Sequence, residues 1–356
     1  MLKMKQYALL VFIYWLCALT PCEGQSRDFN ETVELKAIPS LTNAFWQVSN
    51  IGYSEGWLFI EDQLTENLIK VYDASTGEKV YEFGRKGRGP GELDGVFTIQ
   101  RWSDPGYIEI SDVSNKKNDI YNVDCLKQKP PVLRAHTCLE KSVPTLASRQ
   151  ALIINSNNIV LNHGATVQGN LFLSRGGQAT QHLVEIPLPV AEKYANQMHA
   201  VITMSGRLAA NPNRTRFAYF ANTFDWALFF ERNGDDLELI HEHGFSYLPE
   251  FNVRNNGVFI PSEDYRAAYR HPVSGKEHYF VLYSGKNAEE AEAEGVLAPH
   301  FTNRLKVFDW EGNEVREIQL DRAISIFTVN HDETKIYGVN FNEDFEATVY
   351  VGDLKE

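Results

Sequence analysis

Two histidines, His241 and His243, stand two positions apart in a stretch that otherwise reads as Leu, Ile and Glu, residues 237–243. On a strand, side chains alternate between faces, so both imidazoles would project from one side, as a two-histidine metal site requires. No third ligand stands nearby in sequence, and a surface pair on an outer strand is the plainer account. Gly87-x-Gly89-x-Gly91 superficially suggests a dinucleotide loop, but the glycine spacing departs from that fingerprint and no helical pattern follows. The chain has no His-Glu-x-x-His helix, Cys-x-x-Cys pair or Walker-type phosphate loop. No reaction is identified by motif.

The glycine-rich segment also carries Arg85, Lys86 and Arg88, in a chain whose formal net charge is −13. That balance argues against non-specific nucleic-acid binding, which needs clustered cations to displace counterions. The elements that hold these residues can be read locally. Residues 68–73 form a strand with alternating faces, Ser75-Thr76-Gly77 turns the chain, and residues 78–83 return as its antiparallel partner. Residues 84–93 hold four glycines and a proline, which neither helix nor strand tolerates, so they form a shaped loop. Two short strands follow, residues 98–102 and 107–112, around the turn Ser103-Asp104-Pro105-Gly106.

A hairpin ending in Phe83-Gly84, a glycine-rich crossover ending in Gly91-Glu92-Leu93, a strand, a Pro-Gly turn, a strand ending in Ser111-Asp112 and then Asn115 together resemble the NHL type of β-propeller blade junction. With an export leader ahead of it, the chain is similar to the exported TolB-like six-bladed propellers. The resemblance implies an all-β fold, a six-bladed β-propeller of four-stranded antiparallel blades, in which the glycine loop joins one blade's outermost strand to the next blade's innermost. With that loop as phase marker, units of the usual blade size can be placed six times. Residues 46–83 make blade one, 97–135 blade two (outer strand 132–135), 145–186 blade three, 201–243 blade four, 265–319 blade five and 324–353 blade six. Blade six is one strand short, and residues 32–38 supply it, closing the ring so that no sheet edge stays open.

In such a ring the crossovers and the turns between second and third strands share one face. Arg85, Lys86 and Arg88 then meet Lys116 and Lys117 of blade two, while the equivalent turn of blade five is an acidic insertion carrying Glu289, Glu290, Glu292 and Glu294. Blades two and five lie opposite one another, so the face would be polarised across the channel and could orient a charged ligand or partner. The plainer account has the arginines satisfying crossover carbonyls or pairing with Glu92 and Asp94, and the glutamates forming a solvated helix. His163 and His331 are candidates by position alone. Asp62, Asp112, Asn222 and Asn340 near the channel could ligate calcium, as in propeller lactonases, but are also ordinary strand-end and turn residues.

Residues 1–24 read as an export leader, with Lys3 and Lys5 before an apolar run, residues 7–19, that is shorter than the roughly 20 residues a membrane span needs. Leu19-Thr20-Pro21-Cys22 resembles a loose lipobox, so the alternatives are a lipid anchor at Cys22 and plain cleavage near Gly24. Residues 25–356 are then one propeller domain in the periplasm or at the cell surface. Cys125 and Cys138 are expected to be unpaired, because a blade-two hairpin places them near opposite ends, beyond the roughly 7 Å Cα separation a disulfide allows. The function read from all this is a monomeric, non-enzymatic binding or scaffold propeller, without cofactor, engaging a peptide, glycan or protein partner on its loop face. The alternative is a propeller hydrolase or lyase, calcium-dependent or not, acting at the channel mouth.

Overall fold

The computed structural model describes residues 31–102, 106–128, 135–146, 150–166, 169–184, 205–244, 251–253, 259–261 and 265–355. The leader, Cys22, residues 132–134 and most of the junction at 187–205 lie outside the described residues. The strands form six antiparallel blades around a central channel. Blade one is Val48–Ser54, Trp57–Asp62, Asn67–Asp73 and Lys79–Arg85, from channel to rim. Blade two is Val96–Arg101, Tyr107–Asp112, Lys117–Asn122 and Leu139–Pro144. Blade three is Gln150–Ile153, Ile159–Thr166, Gly169–Arg175 and Gln178–Val184. Blade four is Gly206–Ala210, Arg216–Ala221, Trp226–Asn233 and Asp236–Gly244. Blade five is Tyr269–Ser274, Tyr279–Tyr283, Thr302–Phe308 and Glu314–Ile324. Blade six is Ile326–Val329, Lys335–Phe341 and Ala347–Asp353.

Each blade is covered on both faces by its neighbours, and the second strands show it. Trp57–Asp62, Tyr107–Asp112 and Arg216–Ala221 are buried at every position after the first, whereas the outer strand Asp236–Gly244 is mostly exposed or half-buried. A distinct apolar cluster fills each inter-blade gap. The one between blades two and three, built on Ile120, Val143, Ala151, Ile153 and Val160, is the slightest.

There a polar network substitutes for apolar bulk. Glu109, fully buried, accepts from Asn118 Nδ2 at 2.6 Å, from the Ile153 backbone N–H at 3.0 Å and from Arg214 at 2.7 Å. Arg214 comes from the first turn of blade four, donates to the Ile153 and Arg101 carbonyls, and lies 4.6 Å from the centre of the Trp102 ring. Gln150 pairs with the backbone of Leu208 through both its amide oxygen and nitrogen, tying blade three to blade four.

The N-terminal segment closes the ring, but not as one strand. Lys36–Ala37 pairs antiparallel with Val351 and Tyr350 of blade six, while Glu31–Val33 runs parallel to the outer strand of blade five, opposite Ile318 to Leu320. At the step between them the Leu35 N–H donates to Asp321 Oδ1 at 2.9 Å. The close approach needs Gly352, since a Cβ there would sit 2.6 Å from Val33 and 2.8 Å from Leu35 side-chain atoms. The segment therefore clamps two blades.

Two expectations are corrected. The outer strand of blade two is Leu139–Pro144, not residues 132–135, because the chain first leaves the sheet in a short helix, Val123–Lys127, and a 3-10 turn, Ala135–Cys138. Cys125 and Cys138 are bonded, with Cα atoms 5.5 Å apart. The expectation of free thiols assumed an extended chain; instead the Asn122 side chain caps the helix by accepting from the Cys125 N–H at 2.8 Å, and a helix advances only about 1.5 Å per residue. A short hairpin, Phe251–Val253 with Phe259–Pro261, was also not anticipated.

Replacing Arg214 by Ala strands the Glu109 carboxylate in the interior and should cost about 3–5 kcal/mol in urea denaturation, whereas Arg214→Met with Glu109→Leu should lie much closer to the parent protein. Cys125→Ser with Cys138→Ser, which opens a loop spanning 13 residues, should lower stability by about 3 kcal/mol in the same assay run without reductant.

Candidate functional site

The glycine crossover is a rigid object. Gly84 takes φ +73°, a conformation that side chains other than glycine's rarely adopt, and a Cβ there would meet Leu93 at 2.5 Å. Gly87 and Gly89 make room for the Glu92 carboxylate, which accepts from the Gly89 N–H at 2.7 Å. Asp112, at the end of the second strand of blade two, accepts from the N–H groups of Asp94, Gly95 and Asn115 at 3.0, 3.1 and 3.1 Å. The Asn115 amide bridges the Asp112 carboxylate and the Gly87 carbonyl. Lys117 Nζ donates to the Glu92 carbonyl at 2.9 Å and to Asp119 at 2.6 Å.

These bonds sort the predicted basic cluster. Lys117 is committed inside the junction. Arg85 lies 3.1 Å from Glu66 in an open, solvated pair of little energetic weight. Lys86, Arg88 and Lys116 are exposed and make no ion pair with any described residue. On the acidic side, the helix Ala288–Ala293 opens on a capping box in which Glu290 accepts from the Asn287 N–H at 3.1 Å. Glu290 also takes a bidentate pair from Arg266 at 2.6 and 2.9 Å, and that guanidinium holds its carboxyl below the usual range. Lys286 pairs with Glu294, which leaves Glu289 and Glu292 as the open acids of the insertion.

The other candidates are placed as follows. His241 and His243 are on the outer strand of blade four, and their rings pack toward Phe229 and, edge-on, Phe308, with His243 Nε2 3.6 Å from Glu314. His163 is buried in the second strand of blade three, 5.2 Å from the Tyr219 ring. His331 contacts Arg101 on the face opposite the crossovers. Asp62 pairs with Lys70 at 2.6 Å, Asp112 holds the crossover, and Asn340 accepts from the Phe341 N–H. With Asn222 they belong to four different blades, and among the described residues no group of three His, Cys, Asp or Glu side chains could hold a metal.

The channel itself is the feature that the residue types did not disclose. Each blade's inner strand contributes a polar side chain to its wall: Asn50, Thr98, Gln150, Arg207, His271 and Thr328. Asn50 donates to Glu61 at 2.5 Å, and burial pushes the Glu61 carboxyl up to about 7 against the pull of that bond, of Gln63 and of Arg207. Arg207 keeps only a narrow solvent-facing surface and is enclosed by protein. That enclosure, and then the Arg270 charge, bring it down to about 9, with Glu61 opposing.

Arg270 is similarly enclosed, hydrogen-bonds Tyr265, and has a buried Nε with no hydrogen-bond partner. His271 sits at φ 45° in a bulge where pairing slips between Arg270 and Val273, and burial with Arg207, Arg270 and His300 pushes its imidazole well below the ordinary value. His300, at the end of the insertion, is brought to about 4 by burial and then by Arg270. Inner strands start at the crossover face, so this cluster lies toward that mouth of the channel. Its sequence signal was Arg and His inside otherwise apolar inner strands, Gly206-Arg207-Leu208 and Tyr269-Arg270-His271.

The family model of TolB-like 6-blade propeller-like proteins matches residues 28–332. A member of the DUF4221 family from Bacteroides vulgatus superposes with a TM-score of 0.52 at 9% identity, over 91% of this chain and 96% of that one. A Bacteroides fragilis protein named for its inferred export superposes with a TM-score of 0.52 at 10% identity, over 93% and 98%. At such identities the likeness speaks to fold alone. No curated protein matches. The family match over most of the sequence, with six blades in a closed ring, establishes that the chain belongs to the TolB-like six-bladed propeller family.

Proposed function

We propose that this protein is an exported, non-enzymatic binding propeller that presents its crossover face to an acidic segment of a peptide, glycan or protein partner. The observation that carries the reading is the state of the cations on that face. In a chain of net charge −13, Lys86, Arg88 and Lys116 are exposed and make no ion pair with any described residue, on a junction held still by hydrogen bonds involving Asp112, Asn115 and Lys117. A preorganised cationic patch on an acidic body steers and orients an acidic partner while the remaining surface repels misplaced ones. Export is supported by the Cys125–Cys138 bond, which persists in oxidising compartments, by the leader-like residues 1–24, and by the Bacteroides fragilis neighbour's name. In this reading a lipid anchor at Cys22 would tether the protein to a membrane.

Glu61 favours a second reading, catalysis at the channel mouth, because a carboxyl poised at about 7 suits general acid–base work. Its hydrogen-bond partners among the described residues are the amides of Asn50 and Gln63, neither of which is a nucleophile or an acid–base group.

The binding reading predicts that Lys86→Glu, Arg88→Glu and Lys116→Glu together abolish capture of envelope components by the immobilised protein at low salt. Raising the salt of the parent protein should mimic the loss, since exposed charges are screened over about 10 Å at 0.1 M. Identical species retained by parent and triple variant at both salt concentrations would overturn it.

A further inference from the structure

We infer that the crossover face over blades six, one and two is a docking strip for an extended polypeptide segment in which apolar side chains stand beside acidic ones. The inference rests on the reading of this protein as a binding propeller and names the class of its partner. Three large apolar side chains are left in solvent there: Trp46 is 61% exposed, Leu64 66% and Phe345 66%. Phe345 and Leu64 occupy the turns between the second and third strands of blades six and one, and Trp46 lies on the crossover that enters blade one.

Backbone pairing draws these segments together. Phe45 bridges Ala347, so Trp46 runs beside the turn that carries Phe345, and the Gln63 N–H donates to the Gln47 carbonyl at 3.1 Å, which brings the Leu64 turn to the same stretch. The apolar end then continues into the cations. The Lys86 N–H donates at 2.8 Å to the carbonyl of Glu66, two residues past Leu64, and the Asn115 amide donates to the Gly87 carbonyl at 2.9 Å. Lys86, Arg88 and Lys116 therefore extend the strip from blade one to blade two, exposed and making no ion pair with any described residue.

Nothing in the fold asks for apolar groups at these positions. Phe345 holds φ 62°, a left-handed conformation in which Gly or Asn rests with less strain, and its ring gains no burial in return. Exposed apolar side chains that gather beside charge mark contact surfaces, and Trp and Arg are the residues on which binding energy concentrates. An anionic membrane also attracts aromatic and basic side chains, but exposed Glu343 and Asp344 directly precede Phe345, so sinking that ring would press two carboxylates against anionic headgroups. A polypeptide escapes that conflict. Its apolar side chains can cover Trp46, Leu64 and Phe345 while its acids lie on the cations at the other end of the strip, clear of Glu343 and Asp344.

The test is selection of short random peptides, displayed on phage, against the immobilised mature protein without lipid, with the recovered peptides synthesised and their affinities measured by fluorescence anisotropy. Recovered peptides should join apolar residues to a run of Asp or Glu. Trp46→Ser and Phe345→Asn should each weaken their binding about tenfold or more. Phe345→Asn should at the same time leave the unfolding temperature unchanged or raise it, which loss of a structural side chain would not do. Lys86→Gln with Arg88→Gln should weaken binding by a smaller factor that added salt erases. Leu239→Ser, which removes an exposed apolar side chain from the outer strand of blade four, should change nothing. The inference is overturned if no peptide is enriched, or if the enriched peptides bind the Trp46 and Phe345 variants as they bind the parent. Cosedimentation of the same protein with phosphatidylglycerol vesicles, abolished by Trp46→Ser, would overturn it in favour of a membrane. Enriched peptides that are acidic without being apolar, lost on the Lys86→Glu, Arg88→Glu and Lys116→Glu triple variant but indifferent to Trp46→Ser, would overturn it and leave the binding reading standing.

Discussion

A blade of this protein has two apolar faces, and neither is covered until both neighbouring blades are in place. The constraint explains why the second strands are buried nearly end to end, and why apolar clusters occupy the gaps between blades rather than a single centre. It also makes the ring only as strong as its weakest gap. Between blades two and three the apolar cluster is slight, and the buried Glu109–Arg214 pair with Asn118 takes over, reaching from blade two to the first turn of blade four. Burying an ion pair is expensive, but here Glu109 also accepts from Asn118 and the Ile153 N–H while Arg214 donates to the Ile153 and Arg101 carbonyls, the further hydrogen bonding on which such a pair depends.

Closure follows the same logic. A strand edge left open would expose unpaired backbone and an uncovered apolar face together. The N-terminal segment meets both needs by splitting its pairing between blades five and six, and Leu35 and Val33 enter the apolar cluster between them. One short stretch of chain thus completes a sheet, covers a face and joins two neighbouring blades.

A scaffold fixed in this way can carry charge where a flexible one could not. The crossover between blades one and two is locked by Asp112 and Asn115, so its exposed cations are presented rather than averaged. Arg207 and Arg270 stand on neighbouring inner strands, of blades four and five, and both are largely enclosed by protein. Both features sit toward one face, and both are cationic in an acidic molecule.

What the residues determined by themselves was the repeat: alternation in residues 68–83, the glycines of residues 84–93, the turn chemistry and the spacing specify short antiparallel sheets, because these signals act over a few neighbours along the chain. The type of fold and most strand positions followed. Pairings set by distant residues did not. The Cys125–Cys138 bond depended on a helix nucleated by Asn122, and the outer strand of blade two moved with it. Lys117 and Glu290 read as surface charge until the Glu92 carbonyl and Arg266 were found beside them. Arg207 and Arg270 are 63 positions apart and acquire meaning only where two inner strands meet, since proximity across a ring is decided by how the blades close and not by any local preference of the chain.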